Sequence, residues 1–285
     1  MIYLSFHKPH LKDSLNYVVK KNLMISLKKL GLSYTLNPDV EREYILFTSG
    51  YDFCYELKQV KENDKVIILA LSDPNDLSVQ ENKTMLATDS LNAYQKADIL
   101  LVFTDEQKNF LIQNGFSEDK IKVLDLMPTY EKEELLESER NSFRAFFQIP
   151  KESKLILFLG NDLFKKDISQ IEDLATLAPD KRFLCFGSFD KFSIKEKKKE
   201  MLASMSNILF FDNIDEELYR SAIRSVDCVI LYTKSQTFPV VLNDFFYFGT
   251  KIIAYKQNFN LSFLKKINAS SPEDFPSLYQ LISSL

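Results

Sequence analysis

A chain of 285 residues is long enough for two ordinary domains, and at 45% hydrophobic and 27% charged it has a globular rather than a disordered composition. Its formal net charge of −4 excludes a nucleic-acid binder that works by bulk electrostatics. The longest apolar runs, 66–71 and 99–103, have the length of strands and not of a membrane span.

In chain order, strands and helices alternate. Residues 2–6 predict a first strand and 12–30 a long helix ending at Gly31. Leu11, Leu15, Val18, Val19, Leu23, Leu27 and Leu30 give that helix a wide apolar arc. Strands are expected near 33–36 and 44–48, a helix over 52–60, and a buried strand over 66–71. The loop Ser72-Asp73-Pro74-Asn75-Asp76 follows the C-terminal end of that strand. A helix over 84–96 and a strand over 98–103 come next. Thr104 and Gln107 form a capping box that opens a helix ending at Gly115, and 121–126 closes the half as a strand. Residues 129–153, rich in glutamate with a helical patch over 143–147, read as the interdomain connection. The expected domains are 1–140 and 141–285.

The second half repeats the alternation. A strand over 155–159 runs into Gly160, and strands follow over 182–186 and 208–211. A charged helix is expected over 192–204, and Asp215 should cap a helix through Arg224. A strand over 228–232, a polar loop 233–237, a helix opening at Pro239 and closing at Gly249, and a strand over 251–255 come next. Residues 271–285 predict a terminal helix. This order means α/β domains with parallel sheets. Ligands of such sheets sit outside the C-terminal strand ends, so loop 233–238 and the helix N-terminus after it should face a ligand, phosphate above all. Cys54, Cys185 and Cys228 lie far apart in apolar patterns and read as reduced core residues. The two histidines, His7 and His10, form no metal cluster, and no metal is expected. The N-terminal MIYLSFHKPH lacks the basic-then-apolar order of a signal peptide.

The stretch 227–255, DCVILYTKSQTFPVVLNDFFYFGTKIIAY, resembles the nucleotide-sugar signature of the group-1 retaining glycosyltransferases. Phe238, Gly249, Thr250, Ile252, Ile253 and Ala254 fall in register with it. Gln236 and Asp244 stand at the two glutamates of the signature, and Pro239 at the glycine after its phenylalanine. Gly160 and Lys166 match a second family motif, with Asn161 at its arginine and Asp167 at its last glycine. Asp98, Thr104, Gly115, Ile121 and Pro128 match a third run. The paired-glycine loop after the first strand is missing, and Ser72 stands about where the family has a histidine.

The resemblance implies a GT-B fold, two Rossmann-like domains whose parallel sheets face a central cleft. It implies transfer of a sugar from a nucleotide diphosphate sugar to an acceptor hydroxyl, with retention and without a metal; no Asp-x-Asp occurs in the chain. The implied donor-binding residues are Gly160, Asn161, Lys166, Gln236, Thr237, Phe238 and Asp244. His7 and Asp73 are candidates on the acceptor side, and no catalytic residue is assigned. The nucleotide sugar is a substrate, so no cofactor is expected. The acceptor would be a glycan, a lipid-linked molecule or a protein, in glycan or cell-envelope biosynthesis. The expected location is cytoplasmic; in the family a basic patch such as Lys20, Lys21 and Lys28 can make peripheral contact with an anionic inner membrane surface, but the favoured reading of these lysines is a solvated helix face. The alternative is a catalytically silent GT-B subunit, partnering an active glycosyltransferase or binding a glycan. Plainer roles stand beside these: Asp244 on a helix dipole, Asp73 in an Asx-turn, and solvated side chains at Asn161 and Gln236. Phe245, Phe246, Tyr247 and Phe248 read as core.

Overall fold

The structure is a computed structural model. It describes residues 1–5, 16–48, 53–54, 56–70, 85–124, 127–130, 137–159, 169–186, 200, 204–211, 216–231, 240–255, 264–265 and 267–285. Two compact units divide the chain. One is Met1–His10, Asn16–Thr129 and Ser235–Asn243; the other is Leu11–Leu15, Tyr130–Lys234 and Asp244–Leu285.

The first unit holds a six-stranded, all-parallel sheet. Its strands are β1 (Ile2–Ser5), β2 (Tyr34–Thr35), β3 (Tyr44–Phe47), β4 (Lys65–Leu69), β5 (Ile99–Val102) and β6 (Ile121–Val123). They lie in the order β2-β1-β3-β4-β5-β6. Helices α1 (Asn16–Lys29), α2 (Met85–Lys96) and α3 (Asp105–Gln113) connect them. The chain goes from β1 out to β2, crosses back to β3 and then runs one way, which puts the topological switch point between β1 and β3. Central strands of a parallel sheet are covered on both faces, so they must be apolar throughout and not alternating. Accordingly Ile45, Leu46, Phe47, Ile68 and Leu69 are all fully buried.

The second unit holds a five-stranded parallel sheet of β7 (Leu155–Leu159), β8 (Arg182–Phe186), β9 (Ile208–Phe211), β10 (Cys228–Leu231) and β11 (Lys251–Ala254). The order is β11-β10-β7-β8-β9, the doubly wound arrangement with its switch point between β7 and β10. The expected adjacency of these two strands is observed, with Cys228 opposite Ile156 and Leu231 opposite Leu159. Helices α4 (Glu137–Phe146), α5 (Ser169–Leu177), α6 (Glu216–Ser225) and α8 (Phe275–Ser283) complete it, together with α7 (Val240–Tyr247) from Asp244 onward. Each fully buried Leu, Ile or Phe contributes about 1.5–3 kcal/mol. The core gathers Ile156, Phe158, Leu174, Phe183 and Ile230, and Leu278 and Ile282 of α8 join it.

Local signals account for most element ends. Thr104 caps α3 by accepting from Gln107 N at 3.2 Å, while the Gln107 side chain reaches one residue beyond the cap, to Phe103 N at 2.8 Å. Gly249 ends α7 at φ +76. Its N–H donates to Phe246 O and that of Thr250 to Phe245 O, both at 3.0 Å, the paired bonds of a Schellman motif.

Some expectations need correction. Residues 53–60 are not one α-helix: Glu56 leaves helical geometry at φ −107 and ψ 18, and a 3-10 turn, Leu57–Gln59, follows. That turn presents Gln59 to β1, where its Oε1 accepts from Tyr3 Oη and Ser5 Oγ, each at 3.0 Å. The terminal helix starts at 275 and not 271, because Asp274 caps it by accepting from Ser277 N at 2.9 Å. On α1, Val18, Leu23 and Leu27 are buried as expected, but Leu30 is exposed and the polar Asn22 and Ser26 are buried instead. Asn22 is drawn inward by a hydrogen bond from its Nδ2 to Met127 O. Of the aromatic run on α7, Phe245 is fully buried, whereas Phe246 is exposed. The helix expected over 192–204 lies almost wholly outside the described residues.

Candidate functional site

In a doubly wound sheet, the crevice for a ligand opens where two neighbouring strands send their chains in opposite directions. In the second unit these strands are β7 and β10. Leu159 and Leu231, their last residues, are partners in register, so the two strands end side by side, about 4.8 Å apart. Gly160, Asn161 and Lys166 follow β7; Gln236, Thr237 and Phe238 follow β10. All six lie outside the described residues, and what the structure shows of them is where their loops begin. Helix α7 follows the second loop and returns the chain to β11 beside β10. Its N-terminus therefore lies on the same edge, where unpaired N–H groups favour an anion. In the first unit, His7 follows β1 and Asp73 follows β4; both also lie outside the described residues.

Asp244, on the second turn of α7, is the donor-site candidate whose side chain is described. It is completely buried, and its Oδ2 accepts a hydrogen bond from Tyr219 Oη at 2.8 Å. Tyr219 lies on α6, also completely buried, with its ring edge-on to Phe245 at 6.3 Å and against Tyr130 at 6.4 Å. The Tyr130 hydroxyl donates to Glu216 Oε1 at 3.3 Å. The Arg220 guanidinium sits 5.4 Å from the centre of the Tyr130 ring. Burial pushes the Tyr130 phenol far above its usual pKa, the charges of Glu216 and Asp244 push the same way, and Arg220 opposes them. Tyr130 thus stays a neutral donor. Two carboxylates, two phenols and a guanidinium meet inside the second unit, and a strongly perturbed group such as the Tyr130 phenol is a mark of functional sites. Sequence reading missed Tyr130, Glu216, Tyr219 and Arg220. One signal was present: Glu216, Tyr219 and Arg220 have i, i+3 and i, i+4 spacing and share a helix face.

At the switch point of the first sheet, Ser5 ends β1 opposite Phe47 of β3. Its hydroxyl is fully buried and engaged by Gln59, together with that of Tyr3. Gln59 Nε2 donates to the Glu56 carboxylate. Arg42 stacks over the Tyr3 ring at 4.6 Å and binds Asp64 through Nε and Nη2 at 2.8–3.1 Å. Burial raises the Tyr3 phenol pKa, with Arg42 partly offsetting it. This network ties β1 to the segments around 42 and 59–64. Among the described residues its polar groups serve one another. Cys185 and Cys228 are free and buried, and burial pushes the Cys228 thiol up to about 12, the mark of an inert core thiol. Among the described residues, no group of three or more His, Cys, Asp or Glu side chains could hold a metal ion, and no helix is long and apolar enough to cross a membrane.

No protein-family model matches the sequence, and no curated protein matches it. Solved structures do. Anabaena HepE, crystallised with UDP-glucose, superposes with a TM-score of 0.69 at 11% identity, over 99% of this chain and 88% of HepE. WaaG, a glycosyltransferase involved in lipopolysaccharide biosynthesis, gives a TM-score of 0.69 at 12% identity, over 100% and 90% of the two chains. The UDP-GlcNAc 2-epimerase of Methanocaldococcus jannaschii gives 0.52 at 13% identity, over 99% and 91%. At such identities the likeness establishes the fold: the two-sheet α/β architecture of GT-B glycosyltransferases, as the signature resemblance implied.

Proposed function

We propose that this chain is a glycosyltransferase that takes a nucleotide diphosphate sugar at the C-terminal edge of its second sheet and transfers the sugar to an acceptor hydroxyl. The observation that carries the reading is the pairing of Leu159 with Leu231, which starts both signature loops side by side at the switch point of a doubly wound sheet. HepE, of the same fold, was crystallised with UDP-glucose, which makes a UDP-sugar the first donor to try. In this reading Lys166 and the N-terminus of α7 stabilise the leaving diphosphate. Gln236 and Thr237 hydrogen-bond sugar hydroxyls. Asp244 belongs to the donor side through the helix it stands on. His7 and Asp73 lie on the acceptor side. The protein's contribution is positioning and charge stabilisation, and by family resemblance the transfer is retaining and metal-independent. The acceptor is a glycan, a lipid-linked molecule or a protein.

The epimerase shows that the fold also serves chemistry other than transfer, so the reaction rests on the site and not on the fold. A second reading, a silent subunit that partners an active transferase or binds a glycan, is favoured by Asn161 and Pro239. The first puts no charge where the family has an arginine; the second removes a backbone N–H where it has a glycine. Calorimetric titration with UDP- and GDP-sugars, with a nucleotide-release assay, separates the two. The expected result is weak donor binding with slow release, lost on Lys166→Ala but not on Lys198→Ala, and strengthened by Asn161→Arg with Gln236→Glu. If the wild type shows neither binding nor release and the double variant recovers neither, the transferase reading is refuted.

A further inference from the structure

A carboxylate taken wholly out of water is an expensive way to join two helices, since apolar residues of similar volume commonly serve as well or better. Asp244 is such a carboxylate, with no exposure, inside an eight-residue helix whose other residues are apolar apart from Asn243 and the Tyr247 hydroxyl. Aspartate is also a poor residue for a helix interior. Tyr219, which donates to it at 2.8 Å, is equally buried, although a phenylalanine would pack the same ring against Tyr130 and Phe245. Neither polar group improves packing, so their joint presence needs another reason.

Their place supplies one. Helix α6 leads into β10 and α7 leads out of it. The Tyr219–Asp244 bond therefore ties the connection before this strand to the connection after it, 25 residues on in sequence. The C-terminal end of α7 is held by its Schellman bonds at Gly249 and Thr250. The tie at Asp244 is one turn from the N-terminus. A directional hydrogen bond there fixes the rotation of the helix about its axis, which apolar contacts of similar area would leave looser.

From this we infer that Tyr219 is a positioning residue of the donor site: its hydroxyl holds Asp244 and so sets the rotation and height of the α7 N-terminus that receives the nucleotide diphosphate. The inference rests on the proposed nucleotide-sugar reading. Tyr219 acts through α7 and touches no substrate.

The test is calorimetric titration of UDP and UDP-glucose into the full chain, with thermal melts alongside, for wild type, Tyr219→Phe, Asp244→Asn and the double variant. Tyr219→Phe keeps the ring and removes one hydroxyl. It should weaken UDP binding about tenfold at a temperature where the circular dichroism spectrum is that of wild type. Asp244→Asn should weaken it too, and the double variant should be little worse than either single one. A purely structural role would lower Tm and leave the dissociation constant within twofold of wild type; that outcome overturns the inference and spares the donor-site reading. Additive losses overturn it as well, since the two groups would then act separately. If wild type binds neither ligand, the donor-site reading falls and this inference falls with it.

Discussion

Arg144 offers the most direct test of how the second sheet is held. Its Nη1 donates to Pro150 O at 3.1 Å and Ser153 O at 2.8 Å; its Nη2 donates to Ser225 O at 3.0 Å and Asp227 Oδ2 at 2.7 Å. The same Asp227 oxygen accepts from Leu155 N at 2.9 Å, and Asp227 N donates to Leu155 O at 2.9 Å. One guanidinium thus joins the end of α4, the end of α6 and the starts of β7 and β10. The side chains of Arg144 and Asp227 are 5% and 16% exposed, so screening by water is slight. Arg144→Met keeps an unbranched apolar stem and removes every one of these donors. Breaking a buried pair costs about 3–5 kcal/mol. The residual exposure of Asp227, with Lys154 Nζ 3.9 Å away to compensate in part, places the loss near the lower bound, about 3 kcal/mol. At roughly 2–4 °C per kcal/mol for a chain of this size, Tm should fall by about 6–12 °C. Urea unfolding followed by circular dichroism should show a lower midpoint and an unchanged slope. Asp227→Asn keeps acceptors for both donors and should lose roughly half as much. A loss below about 0.5 kcal/mol for Arg144→Met, within the range of an ordinary surface substitution, would refute the claim that this arginine holds the sheet.

Two further outcomes concern stability. The side chains of Arg42 and Asp64 are 1% and 2% exposed. Burial raises the Asp64 carboxyl, but the Arg42 hydrogen bonds, the Lys61 N–H and the Arg42 charge together hold its pKa below the ordinary 3.8. A depressed carboxyl pKa contributes stability above the unfolded value that is lost as pH falls through the folded one. Arg42→Ala should therefore destabilise clearly at pH 7, and acid titration of both proteins should show the gap closing below about pH 3.8; a constant gap would deny the link to Asp64. Gly249 sits at φ +76, and a Cβ built there meets nothing within 4 Å. Gly249→Ala should then cost only the left-handed backbone term, about 1–2 kcal/mol, measured as a small drop in Tm; no drop would deny that this conformation is required.

The sequence alone determined the elements and their class. Apolar runs such as 155–159 and 228–231, with glycines at 31, 115 and 249, are local signals, and the order of runs already implied parallel sheets and the edge where signature loops emerge. Only the tertiary structure decided which polar side chains are buried, and against what. Arg144 reaches across 83 residues to Asp227, Ser5 across 54 to Gln59, and Tyr219 across 25 to Asp244. Arg144 falls in the helical patch of the expected interdomain connection, and nothing local singles out Tyr219. The reason is physical: an apolar residue declares its burial through the periodicity of its neighbours, whereas a buried polar residue is tolerated only where a distant partner satisfies it, and that partner leaves no mark on the sequence around it.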